Sequence, residues 1–303
     1  MPNAMPHDHD QLARFLLPHA GVRGVRVHLD EAWQQVRARA EANEGQPAAV
    51  TELLGEAAAA AAVHSAKRVR NGPSPRNCTD KRPSTLAWPV NNAAGTVRAI
   101  AQVEGDAALP RDLRALGDGA VMAITIENPA PGGREPVRYQ GLVPLESDSL
   151  AGAFEDYFRQ SEQLPTRLLL AADGQAAAGL MLQKLPGDSG DEDGWNRAIA
   201  LFDTLTTSEL LELPATTLLH RLFHEEGVEL LGERPLAFGC SCSRDRVSAM
   251  LQSLGQEEAM AAAAEGEAMV RCEFCDEQYR YSPDEIMSLF EPRPTAEGSS
   301  RLQ

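Results

Sequence analysis

Two short stretches constrain this chain more than any other feature: "FGCSCSRDR" at Phe238–Arg246 and "VRCEFCDEQ" at Val270–Gln278. They hold four of its five cysteines, as Cys240-x-Cys242 and Cys272-x-x-Cys275, with 29 residues (243–271) between the pairs. Two close pairs separated by a loop supply two corners each of a tetrahedral four-thiolate site once the loop folds back. In a reducing compartment such clusters bind metal or do redox work rather than form structural disulfides. Both halves read as strands running into tight knuckles, with "SRDRVSAMLQSL" and "QEEAMAAAAEG" as connecting helices.

Energetics say what such a site does. Arg234 to Phe290 is a length at which an apolar core alone is marginal. Structural zinc contributes on the order of 10–16 kcal/mol in zinc-finger peptides, as much as the whole net stability of a typical domain. One Zn²⁺ per chain on Cys240, Cys242, Cys272 and Cys275 is therefore expected to keep this segment folded. Metal binding also keeps the sulfurs as thiolates, the form that oxidants attack. A disulfide across Cys-x-Cys closes a small ring and is strained, which suits a reversible step. Arg244, Arg246 and Arg271 stand near the knuckles in sequence and are candidates to offset thiolate charge.

The rest of the chain reads as an α+β protein of more than one domain. "HDQLARFLL" is read as a short helix, "GVRVHL" as a strand, and Asp30 as the cap of the helix "EAWQQVRARAEA". An Ala-rich helix is expected at about 47–65, then strands at "TVRAIAQVEG", "GAVMAITIENP" and "VRYQGLVPLE". "SDSLAGAFEDYFRQSEQLP" reads as a helix capped by Ser147 or Asp148, and "TRLLLAA"/"AAAGLMLQKL" as a hairpin about Asp173-Gly174. The acidic turn "PGDSGDEDG" marks a domain exit, followed by two helices, "WNRAIALFDTLTTSELLEL" and "ATTLLHRLFHEEG". The expected organisation is a mixed α/β sheet domain over 1–186, a helical linker over 187–233 and a small zinc-binding domain over 234–303.

Net charge is −16 with pI about 4.9, which opposes general binding to nucleic acid or anionic membrane. No signal peptide and no membrane span are read from the sequence, so the protein is expected in the cytoplasm. A zinc-ribbon nucleic-acid regulator is the alternative reading, but it would want basic knuckles. Here the surroundings carry Glu257, Glu258, Glu265, Glu267, Glu273, Asp276 and Glu277. A disulfide oxidoreductase would place its Cys-x-x-Cys at a helix start, whereas strand-like residues flank Cys272 and Cys275. His220 and His224 stand at i, i+4 without a third ligand, and the leucines at 218, 219 and 222 with Phe223 form an ordinary amphipathic face. No phosphate loop or nucleophile motif is present, so no enzyme activity is expected.

With these residues in hand the chain resembles the redox-regulated holdase chaperones of bacteria, the heat-shock proteins of the 33 kDa class. The resemblance rests on "YQGLVPLESDSLAGAFEDYFRQSEQLPTRL" (Tyr139–Leu168), on "LLHRLFHEEGVEL", and on "FGCSCSRDR…RCEFCDEQYRYSPDEI". It implies a reduced, zinc-bound, inactive state, and oxidation to Cys240–Cys242 and Cys272–Cys275 disulfides with release of the metal. It further implies unfolding of the C-terminal region and linker, ATP-independent binding of unfolding client proteins, and a homodimer in the oxidised state. The sequence departs from the family at 64–92, a basic, Pro-rich stretch containing Cys78 where strands are expected. It reads as a pair of compensating frame shifts, which resequencing of the gene would test.

Overall fold

The computed structural model describes residues 10–41, 48–65, 84–87, 95–103, 110–116, 121–128, 137–187, 190–240, 242–272, 275 and 277–291. Cys78 and most of the anomalous 64–92 stretch lie outside them. Within that stretch, residues 64–65 end the expected Ala-rich helix, and Ser84–Ala87 form a strand. The chain divides into two compact units, Met1–Cys240 and Ser241–Gln303.

The first unit is built on an antiparallel sheet in the order β10-β1-β2-β9-β8. Its strands are β1 (Gln11–Leu17), β2 (Val22–Leu29), β8 (Thr166–Ala172), β9 (Ala177–Lys184) and β10 (Glu229–Pro235). The helix expected at "HDQLARFLL" is in fact β1. Its side chains alternate between the two sheet faces, Leu12 to one and Phe15 and Leu17 to the other. Pairing with β2 on one side and β10 on the other decides against a helix. A five-residue apolar cluster cannot announce that partner, which lies over 200 residues away.

One face of the sheet packs on α1 (Glu31–Glu41), α2 (Ala48–Ser65) and α3 (Leu150–Tyr157). Ala57 to Ala60 and Ala62 are all at most 1% exposed, and this row of methyl groups lets α2 lie close against β8 and β9. Trp33 of α1 fills the centre and donates its Nε1–H to the Asp173 carbonyl at 2.8 Å. Asp10 serves the start of α1 with Asp30, accepting from the Asp30 and Ala32 amides at 2.8 Å each. Ser149, not Ser147 or Asp148, caps α3, its Oγ accepting from Gly152 N at 3.3 Å.

The opposite face is covered by α4 (Gly194–Phe202), α5 (Thr207–Glu212) and α6 (Ala215–Phe223), three helices where two were expected. Thr206, in a capping box with Glu209, starts a new helix and breaks the anticipated long one. The sheet presents Phe15, Leu17, Val22, Ala178, Leu180 and Leu182 to them, and they return Phe202, Leu210, Leu218, Leu219, Leu222 and Phe223. Each Val, Leu or Phe side chain among them contributes about 1.5–3 kcal/mol when fully buried. Polar groups are embedded in the same face: buried Arg26 donates from Nη2 to the Leu213 carbonyl at 2.6 Å, and His28 Nε2 lies 2.9 Å from the Leu211 carbonyl. Gly24 is required there, since a Cβ would fall 2.0 Å from Phe15 Cζ.

Further short strands complete the first unit: β3 (Ser84–Ala87) with β5 (Ile100–Val103), β6 (Val121–Asn128) with β7 (Val137–Pro144), and β4 (Thr96–Val97) in parallel with β11 (Ala237–Phe238). The second unit holds α7 (Arg244–Leu254), α8 (Gln256–Ala261), the hairpin β12 (Ala268–Arg271)/β13 (Gln278–Tyr281) and α9 (Pro283–Phe290). Its core is small: Val247, Leu251, Ala259, Ala263, Ala268, Tyr281 and Ile286. No helix among the described residues is long and apolar enough to cross a membrane.

Candidate metal centre

The four cysteines come together. The Sγ atoms of Cys240, Cys242, Cys272 and Cys275 all lie within 4.8 Å of one another, and among the described residues no other group of His, Cys, Asp or Glu meets the same test. Cys242 and Cys275 are 3.4 Å apart. A tetrahedron of sulfurs about 2.3 Å from a central Zn²⁺ has edges of about 3.8 Å, so the donor set fits a structural tetrathiolate site. No disulfide joins them, and Cys275 is 2% exposed while the other three are half-buried.

Local chemistry places each knuckle. Strand β11 carries the chain to Cys240, its Ala237 and Gly239 amides donating to the Gly95 and Val97 carbonyls at 3.0 and 3.1 Å. Gly239 is needed for this approach, because a Cβ would sit 2.6 Å from Thr96 Cγ2. Immediately after Cys242, Ser243 caps α7 through its Oγ, which accepts from Arg246 N at 3.2 Å, so the first knuckle turns straight into a helix. The second knuckle is closed by Cys272 N donating to the Glu277 carbonyl at 2.9 Å, between β12 and β13.

Polar groups surround the sulfurs. Arg98, 4% exposed, donates from Nη1 to Cys240 Sγ at 3.2 Å. Burial, then a hydrogen bond to Cys242 and the charge of that sulfur, push the Tyr279 phenol well above its ordinary range, so it remains a donor. Arg244 is used elsewhere: it pairs with Glu285 at 2.7 Å and its guanidinium stacks over Tyr281 at 4.3 Å. Arg246 and Arg271 are exposed. Arg98, which the sequence reading passed over, stands against one of the sulfurs; its partner is 142 residues away, and the β4–β11 pairing brings them together. His220 and His224 stack on each other at 5.3 Å and do not join the cysteine group.

Comparison with known proteins agrees with this picture. The family model described as Hsp33 protein matches residues 10–282. The chain is 41% identical over 285 residues to the 33 kDa chaperonin of Ectopseudomonas mendocina, covering 91% of this chain and 94% of that one. It is 40% identical to the 33 kDa chaperonin of Chromobacterium violaceum, covering 93% and 94% respectively. The crystal structure of the 33 kDa chaperonin (heat shock protein 33 homolog) from Thermotoga maritima superposes with a TM-score of 0.73 at 21% identity, over 93% of this chain and 97% of that one. A match across most of the length, together with the four gathered cysteines, places this chain in the Hsp33 family.

Proposed function

We propose that the protein is a redox-regulated, ATP-independent holdase chaperone of the cytoplasm, without enzyme activity, that binds unfolding client proteins to prevent their aggregation. The observation that carries this reading is the gathering of four undisulfided cysteine sulfurs within 4.8 Å at the start of a small unit with a sparse core. Bound Zn²⁺ would hold Cys240, Cys242, Cys272 and Cys275 as thiolates and supply the stability that this core lacks. Peroxide then takes two electrons from Cys240 and Cys242 and two from Cys272 and Cys275. Each pair forms one S–S bond as an O–O bond breaks, and two protons from solvent complete two waters. The donor set is thereby lost.

Functionally, 1–186 acts as the sheet domain, 187–233 as the linker and 234–303 as the switch. Supporting this, α4, α5 and α6 pack on one apolar sheet face, so undocking them would uncover both Phe15, Leu17, Leu180 and Leu182 on the sheet and Leu218, Leu219, Leu222 and Phe223 on the helices. That surface suits unfolding chains, and in the oxidised state it suits a second copy of the protein, giving a homodimer. Net charge of −16 speaks against nucleic-acid or anionic-membrane partners.

The test follows thiol count, metal release to a chromophoric chelator and aggregation of a heat-labile protein in one experiment, with zinc-loaded protein and peroxide at raised temperature. Joint onset is expected. Full suppression of aggregation by the reduced, zinc-loaded protein, or none after complete oxidation, would reject the reading.

A further inference from the structure

We propose that Arg98 is a positioning residue that makes the docking of strand β11 on β4 conditional on negative charge at Cys240. The inference rests on the redox reading above and adds a route by which the thiol state reaches the sheet-bearing unit. Three observations meet at this point. The Arg98 guanidinium is 4% exposed and aims Nη1 at Cys240 Sγ, 3.2 Å away. The backbone that carries Arg98 is the backbone that receives β11, through Gly95 and Val97 carbonyls accepting from Ala237 and Gly239. The approach is tight, with Gly239 against Thr96 and Phe238 beneath the Arg39 guanidinium at 4.1 Å.

A cation taken out of water is tolerated when an anion faces it. With Cys240 a thiolate, Nη1 donates a charge-assisted hydrogen bond, and β11 stays seated. When Cys240 and Cys242 give two electrons to peroxide and form their S–S bond, the sulfur in front of Nη1 becomes neutral. The charge-assisted part of that bond is then lost, and β11 is held less firmly on β4. Strand β10 precedes β11 directly in the chain, so loosening begins at the edge of the main sheet.

The test uses full-length, zinc-loaded protein as wild type, Arg98→Met and Arg98→Lys, each reduced and peroxide-oxidised, with hydrogen exchange read at Ala237 and Gly239. In the wild type, oxidation should accelerate exchange at both amides at least tenfold. Arg98→Met should shrink that difference to within about twofold, and reduced Arg98→Met should lose zinc to a chelator on the order of 10–100-fold faster, the range of a charged hydrogen bond. Arg98→Lys, which keeps the cation, should restore both the redox response and most of the zinc retention, as a merely space-filling role would not require. Protection of β1 and β9 amides reports whether a variant is folded. Should Arg98→Met fail that check, Arg98→Lys decides, since retained protection of Ala237 and Gly239 on oxidation overturns the proposal. The same result in the wild type, or an unchanged redox difference in folded Arg98→Met, also overturns it. Aggregation suppression, followed in parallel, separates the two ideas: a working holdase whose Ala237 and Gly239 stay protected sinks only the Arg98 device.

Discussion

Phe15 of the sheet and Phe223 of the last linker helix stack with their ring centroids 6.2 Å apart and their planes 25° from parallel. Both rings are fully buried, and Phe15 lies flat against the bare Cα of Gly24. The pair joins the strand nearest the N-terminus to the end of the helical cover, so it reports directly on whether that cover is seated.

Truncating Phe223 to Ala should therefore weaken docking more than any exposed change in α6. A loss of about 3–5 kcal/mol is expected for a buried Phe. Urea unfolding measures it, and the reduced variant should suppress aggregation of a heat-labile protein where reduced wild type does not.

Replacing Gly239 by Ala drives a methyl group into Thr96. Overpacking of this kind costs about 1–3 kcal/mol. Reduced Gly239→Ala should exchange the Ala237 amide faster than wild type, and adding Thr96→Ser, which removes Cγ2, should recover most of the protection.

Cys275→Ser removes the most buried of the four sulfurs. Zinc stoichiometry by atomic absorption should fall well below one per chain. Amide protection over 244–290 should be lost while that of β1, β2 and β9 persists, because the second unit's core is small and the proposed zinc would supply the stability it lacks.

Glu56 gives a pH signature. Burial raises its carboxyl above the ordinary 4.5, although Arg111 pairs with it at 2.7 Å and pulls the other way. A raised carboxylate pKa means that the folded state holds the proton more tightly than the unfolded chain. Stability from this group is therefore highest below 4.5 and falls as pH rises through the folded-state value, leaving a cost at neutral pH. Glu56→Gln removes that dependence. Denaturant midpoints should show the variant gaining on wild type between pH 4.5 and 7.5, and a gap that is constant with pH would contradict the assignment.

The gathering of the four cysteines was legible before any fold was known, because Cys-x-Cys and Cys-x-x-Cys carry their geometry in their spacing. The hairpin at Asp173-Gly174 was legible for the same reason, since turn chemistry is local. What escaped was decided by distant partners. "QLARFLL" becomes an inner strand because β10, over 200 residues further on, pairs along its other side, and Arg98 matters because Cys240 arrives beside it along β11. Neither fact leaves a trace within a dozen residues of the position it governs.

The placement of β10 has a last consequence. It makes the start and the end of the first unit neighbours in one sheet, with β1 sealed between β2 and a strand from the far end of the chain. A chain cut by a protease or a stop codon before Glu229 would keep the described helices of that unit yet leave the outward-facing amides and carbonyls of Gln11–Leu16, those that meet β10, unpaired along an open border. Such a fragment should form fibrils or cross-pair with its copies, since an uncapped strand margin is a template for its own kind.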